Sequence, residues 1–177
     1  MDVMGVTSNL TLYLLLTVAV AQDMRQLRIS NRLILAGMAA GILFHIPGAG
    51  IEDFVQILLG IIFPVISLYL FYLMGVIGPG DIKLFSIISL FMNLRELTCC
   101  MILSFFLGAI VGVFKLIVSG EMKTKLLGAV LYLADISRGN IHEYRSCGDR
   151  IVIHFSVEIM AAVIIIQILN LLQGGRL

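Results

Sequence analysis

The chain has 177 residues, 60% of them hydrophobic and only 13% charged, with a formal net charge of +1. Its mean hydropathy is +1.07. A soluble domain of this length has no core large enough to hide so much apolar surface, so composition excludes a water-soluble globule and predicts a multi-pass protein whose partner is the lipid bilayer. The near-neutral balance carries no nucleic-acid signal, and no nucleic-acid partner is expected.

Six apolar segments are read in chain order from length and flanks. The first, 3–21, lacks a basic leader and a small-residue cleavage site and reads as a retained helix. Asp23 closes it, and Arg25, Arg28 and Arg32 fill the joint to the second segment, 33–46. Pro47-Gly48-Ala49-Gly50 leads to the third, 54–77, which runs into Gly78-Pro79-Gly80-Asp81. The fourth, 82–94, is short: residues 82–92 span roughly 16 Å as a helix, against a hydrocarbon core of about 30 Å. The fifth and sixth are 97–118 and 151–172, separated by a polar loop at about 119–150. Within that loop Leu126, Leu127, Val130, Leu131 and Ala134 fall at helical spacing, which fits an interfacial helix as well as a membrane-facing loop. The expected fold class is all-α: one integral-membrane domain over 1–177, a polytopic bundle of about six transmembrane helices.

Charge predicts the orientation. Arg25, Arg28, Arg32, Lys83, Lys115, Lys123, Lys125, Arg138, Arg145 and Arg150 fall on one side of that layout, and Arg95 and Arg176 on the other. By the positive-inside rule the rich side is cytoplasmic, so both termini are outside. Asp23 and Asp81 then share the cytoplasmic face.

A carboxylate near a bilayer is expensive and is a functional candidate by default. Two of them suffice to hydrolyse a peptide. One, ionised, takes a proton from water; the other, protonated, polarises the scissile carbonyl and protonates the leaving amine. Carboxyls held close cannot both ionise, so the shared proton follows from proximity. No metal, cofactor or covalent nucleophile is required. Asp23 and Asp81 are therefore the candidate catalytic pair. Gly78 and Gly80 are expected to free the backbone at the turn and admit a close neighbour. Asp81 at a helix start can also cap free N–H groups. Lys83 is a candidate for orienting substrate or for anchoring in headgroups. Asn31 is expected to cap the second helix, with a bond to Asp23 as the alternative. Glu158 is an acid about two turns into the last segment and is expected to hydrogen-bond across the bundle. His45, His142 and His154 lie on different segments and form no ligand set, and Cys99, Cys100 and Cys147 have no zinc spacing. The adjacent Cys99 and Cys100 read as free, buried thiols.

Gly78-x-Gly80-Asp81-Ile82-Lys83 resembles the active-site turn of the type IV prepilin peptidases. Asp23, the basic residues after it and Ile29-Ser30-Asn31 resemble the same family's first aspartate region, which commonly has Pro where this chain has Ser30. The layout is most similar to the small prepilin peptidases of tight-adherence pilus systems. That resemblance implies an intramembrane-type aspartyl endopeptidase of a bacterial cytoplasmic membrane. Its substrates would be prepilins or pseudopilins, cut where a basic leader meets a hydrophobic helix. Larger relatives also N-methylate the product through an added cytoplasmic region with paired Cys-x-x-Cys; the joint between residues 21 and 33 is too short for one, so cleavage without methylation is expected. The sequence leaves the oligomeric state open. Two other readings are a small proton- or cation-coupled transporter subunit using Asp81 and Glu158, and an inactive scaffold of a pilus or secretion assembly.

Overall fold

In the computed structural model, which describes residues 3–45, 51–73, 76–120 and 154–174, six α-helices follow one another and no strand occurs among the described residues. They are α1 (Val3–Gln26), α2 (Asn31–His45), α3 (Ile51–Leu73), α4 (Pro79–Ile88), α5 (Leu94–Val118) and α6 (Phe155–Gly174). Each corresponds to one predicted apolar segment. The chain divides into two compact units, residues 1–105 with 154–177 and residues 106–153. The suggested interfacial helix, Cys147 and His142 lie outside the described residues.

The boundaries differ where capping chemistry outweighs hydropathy. Helix α1 continues past residue 21 to Gln26, so Asp23 lies inside its last turn. Leu27 ends it with φ 53° while its N–H bonds the Asp23 carbonyl at 2.9 Å. A left-handed residue closing a helix is ordinary for Gly but costs Leu about 1 kcal/mol. Helix α4 is only 10 residues, roughly 15 Å long. It stops because Leu90 and Phe91 turn their N–H groups to the carbonyls of Ile87 and Ile88, three residues back. Asn93 then receives the Glu96 carboxylate on its N–H at 3.2 Å, a capping contact that starts α5.

Helices α1 and α6 pair along their length. Tyr13 donates to Gln167, and Gln167 donates to Asn9 at 3.1 Å. Farther along the same pair, Ser156 lies against Asp23. The numbering falls on one helix as it rises on the other, so the two are antiparallel. Helix α4 packs mainly on α3 and α2. Against α2 the approach is close: a Cβ on Gly37 would sit 3.0 Å from Ile87, and one on Gly41 2.6 Å from Leu90. Small residues four apart are a common way for membrane helices to touch. Gly41→Ala is therefore expected to push α4 away and cost about 1–3 kcal/mol through overpacking, seen as a lower Tm in detergent. Gly60→Ala is the control, because its Cβ would meet Ser89 at an ordinary 3.5 Å.

An aromatic ladder fixes the start of α6. Phe155 meets Phe105 with ring centroids at 5.4 Å and Phe85 at 6.4 Å, and Phe105 meets Phe71 at 5.2 Å. The rings tie α6 to α3, α4 and α5 beside residue 156.

Large apolar side chains face outward on every helix but the short, buried α4; Leu35, Ile66 and Leu171 are each about 70% exposed, at 73%, 69% and 68%. Two helical stretches, Leu94–Val118 and Phe155–Leu172, are long and apolar enough to cross a membrane. Hydroxyls turn back to their own helices, as on Thr11, Thr17, Thr98 and Ser104, each bonding the carbonyl four residues earlier. That satisfies the donors within the helix itself. Cys100 is buried as expected, but Cys99 is exposed. Helix α5 is apolar all round, so its sequence gives no cue to which of two neighbouring thiols faces inward.

Candidate active site

Asp81 stands in the first turn of α4, ahead of the apolar part of that helix. Its Oδ2 accepts the Gly78 N–H at 3.3 Å, while its own N–H donates to the Gly78 carbonyl at 3.2 Å. The carboxyl thus caps its helix and remains part of the site. Gly78 has φ −77° and ψ 154°, an extended conformation open to any residue. Its value lies in space: a Cβ there would come within 3.2 Å of Asp81 Oδ2. At Gly80 the Cβ position lies 3.6 Å from the Ile29 side chain, an ordinary contact. Ile29 follows α1 in the joint after Asp23, so this contact brings the two acidic regions together.

That joint is short and well bonded. Gln22 Oε1 accepts the Ser30 N–H at 2.9 Å, and Ser30 Oγ accepts the Leu33 N–H at 3.3 Å. Ser30, not Asn31, is the side chain that caps α2. A proline at this position would lack the N–H that Gln22 receives. Asn31 instead accepts the Lys83 ammonium at 3.1 Å on its Oδ1, an exposed link from α2 to α4. The expected cap is therefore corrected by one residue, and Lys83 is held by protein rather than left to headgroups.

Asp23 is 14% exposed on its side chain. Its Oδ2 accepts the Ser156 hydroxyl at 2.6 Å and lies 3.6 Å from His154 Nδ1. Glu158 is in the first turn of α6, not two turns in, because the helix begins at Phe155. It is 6% exposed, and its Oε2 has no hydrogen-bond partner.

Electrostatics connect these groups. Burial pushes the Asp81 carboxyl up to about 6, the charge of Asp23 pushes the same way, the Gly78 N–H pulls down, and Glu158 adds a last upward push. Asp23 on α1 and Glu158 on α6 therefore lie within electrostatic reach of Asp81 on α4. Their surroundings differ: Asp23 has a hydroxyl donor, whereas Asp81 has one long bond from a backbone N–H and two acids nearby. This arrangement can keep one carboxyl ionised and its neighbour protonated. Among the described residues no group of His, Cys, Asp and Glu is arranged to hold a metal ion.

Residues 10–113 match the type IV leader peptidase family, and they include Asp23, Asn31, the Gly78–Asp81 turn and Lys83. The chain belongs to that family. Comparison with curated proteins and with solved structures gave no match. This leader peptidase thus carries its family signature on α1 to α5. The polar turn that holds Asp23 lies beyond the matched residues, on α6. Sequence reasoning missed Ser156 and set His154 aside as a metal ligand. The only signal was His154-x-Ser156-x-Glu158, three polar residues opening an otherwise apolar segment.

Proposed function

We propose that this leader peptidase is an aspartyl endopeptidase of a bacterial cytoplasmic membrane. It removes the basic leader of a prepilin or pseudopilin where the leader meets the hydrophobic helix. What supports this reading is that Asp81 feels the charge of Asp23 while the two carboxyls have unlike partners. Asp23, already accepting a hydroxyl, serves as the carboxylate that takes a proton from the attacking water. Asp81, whose burial favours the neutral form, gives its proton to the scissile carbonyl oxygen. Water adds to the carbonyl carbon, the C–N bond breaks, and the amine leaves with a proton supplied by the pair. No cofactor takes part.

The six helices serve as six spans of one domain, with the termini outside and both acids at the cytoplasmic face. Ten of the 12 basic residues on one side of this layout support it. The joint between α1 and α2 leaves only residues 27–30, which supports cleavage without N-methylation. Gly78 gives the Asp81 turn its clearance, and the Lys83–Asn31 link braces that turn from outside.

The direct test is to co-express the chain with a prepilin and follow leader removal by gel shift. Unprocessed prepilin in the presence of membrane-inserted wild type would reject the reading, and proton-coupled uptake in vesicles would favour a transporter. Lys83→Ala and Asn31→Ala are each expected to slow processing by up to about tenfold, near the loss of one exposed charged hydrogen bond. The double variant should be no slower than either single one, because both remove the same link.

A further inference from the structure

The opening turn of α6 lies outside the residues that match the family, yet it touches Asp23 and carries Glu158, whose charge bears on Asp81. Ser156 is fully buried, and its hydroxyl donates to Asp23 Oδ2 at 2.6 Å. A hydroxyl can donate once, so this bond fixes the rotamer of Asp23 and leaves Oδ1 for water. Two residues on, Glu158 is buried and its Oε2 has no hydrogen-bond partner.

We propose that the first turn of α6 assigns the two aspartates their separate tasks, with Ser156 positioning Asp23 to activate water and Glu158 keeping the proton on Asp81. This rests on the aspartyl reading above. The neighbouring elements carry these titratable groups. From α1 it is Asp23 itself. From α6 they are Glu158 and the half-buried His154, 3.6 Å from Asp23. On α4 Lys83 is turned to Asn31 of α2. On α3, Tyr69 and Tyr72 are 55% and 42% exposed and stack on each other. No Lys or Arg pairs with the three acids among the described residues.

Both halves are testable on the full chain in lipid vesicles, with a model peptide carrying a lysine-rich leader, Gly and an apolar helix. Ser156→Ala is expected to lower kcat by about tenfold to a hundredfold, in the range of one positioning or proton-transfer contribution, with KM within about twofold. Ser156→Thr, which keeps the hydroxyl, should recover most of the loss. Ser156→Cys is nearly isosteric but a weak donor, and should behave like Ala even if Ala itself folds poorly. Glu158→Gln is expected to move the alkaline limb of kcat/KM to lower pH, because removing one coupled carboxyl lets the others ionise more readily; Glu158→Asp should leave the limb near its original place. Wild-type kcat in both the Ala and Cys variants, or an unmoved limb in Glu158→Gln, would overturn the proposal.

Failure of the underlying reading looks different: peptide uncut by wild type, or cut equally well by Asp23→Asn. In that event an infrared titration decides the Glu158 half without any catalysis. The protonated-carboxyl band lost in Asp81→Asn should titrate at lower pH in Glu158→Gln than in wild type, and identical midpoints would reject the role of Glu158.

Discussion

Asp23→Asn and Asp81→Asn, made one at a time, are each expected to stop leader removal, with processing reduced at least about a hundredfold and full-length protein still in the membrane. General acid–base groups commonly contribute 10²–10⁴-fold, and here one pair would carry both halves of the chemistry. The losses should not add. Once either carboxyl is gone the other has no partner with which to share a proton, so the double variant should be as slow as the slower single one. Asparagine preserves shape and most contacts at both positions. At Asp81 the amide oxygen can still accept the Gly78 N–H that caps α4. At Asp23 the amide can still accept from Ser156. A fold that survives with cleavage lost places the effect in chemistry; cleavage that persists in either variant would remove that residue from the catalytic role. The same gel, with membrane fractions blotted for the protein, reads both outcomes.

Much of the fold was open to sequence reasoning because hydropathy and length decide where a helix can run in lipid, and six apolar segments became six helices. Helix ends were less open, since they depend on which of several adjacent polar groups takes the first free N–H. Ser30 and Asn31 are both good caps, and only the Gln22 bond to the Ser30 N–H decides between them. The two aspartates were legible because each sits in a local pattern, Asp81 after Gly-Pro-Gly and Asp23 before a basic run. Ser156 was not, because its partner is 133 residues away and a lone serine on an apolar helix usually bonds its own backbone. At Gly78 the geometry favours space over backbone freedom, since it is in an ordinary extended conformation, and a Cβ at Gly80 would make only an ordinary contact.

Asp81 also leads to an expected trade between activity and stability, readable through pH. Its carboxyl is raised from 3.8 to about 6 in the folded protein, mainly by burial. Between those values the unfolded chain has released the proton that the folded one keeps, so the contribution to stability is whole below about 3.8 and is lost as pH rises through about 6. The difference corresponds to roughly 3 kcal/mol at neutral pH. Asparagine has no proton to lose. Asp81→Asn is therefore expected to melt several degrees higher than wild type at pH 8 and at nearly the same temperature at pH 4, in one detergent. Cleavage should show the same group from the other side: wild-type kcat/KM, which reports the free enzyme, is expected to fall on an alkaline limb centred near pH 6, as the neutral form of Asp81 disappears. Coincidence of the melting and kinetic midpoints would tie both to one carboxyl. A stability gap that stays constant from pH 4 to pH 8 would mean that Asp81 holds no proton the fold has to defend, and the acid in the mechanism would then have to be sought among its neighbours, with Glu158 first.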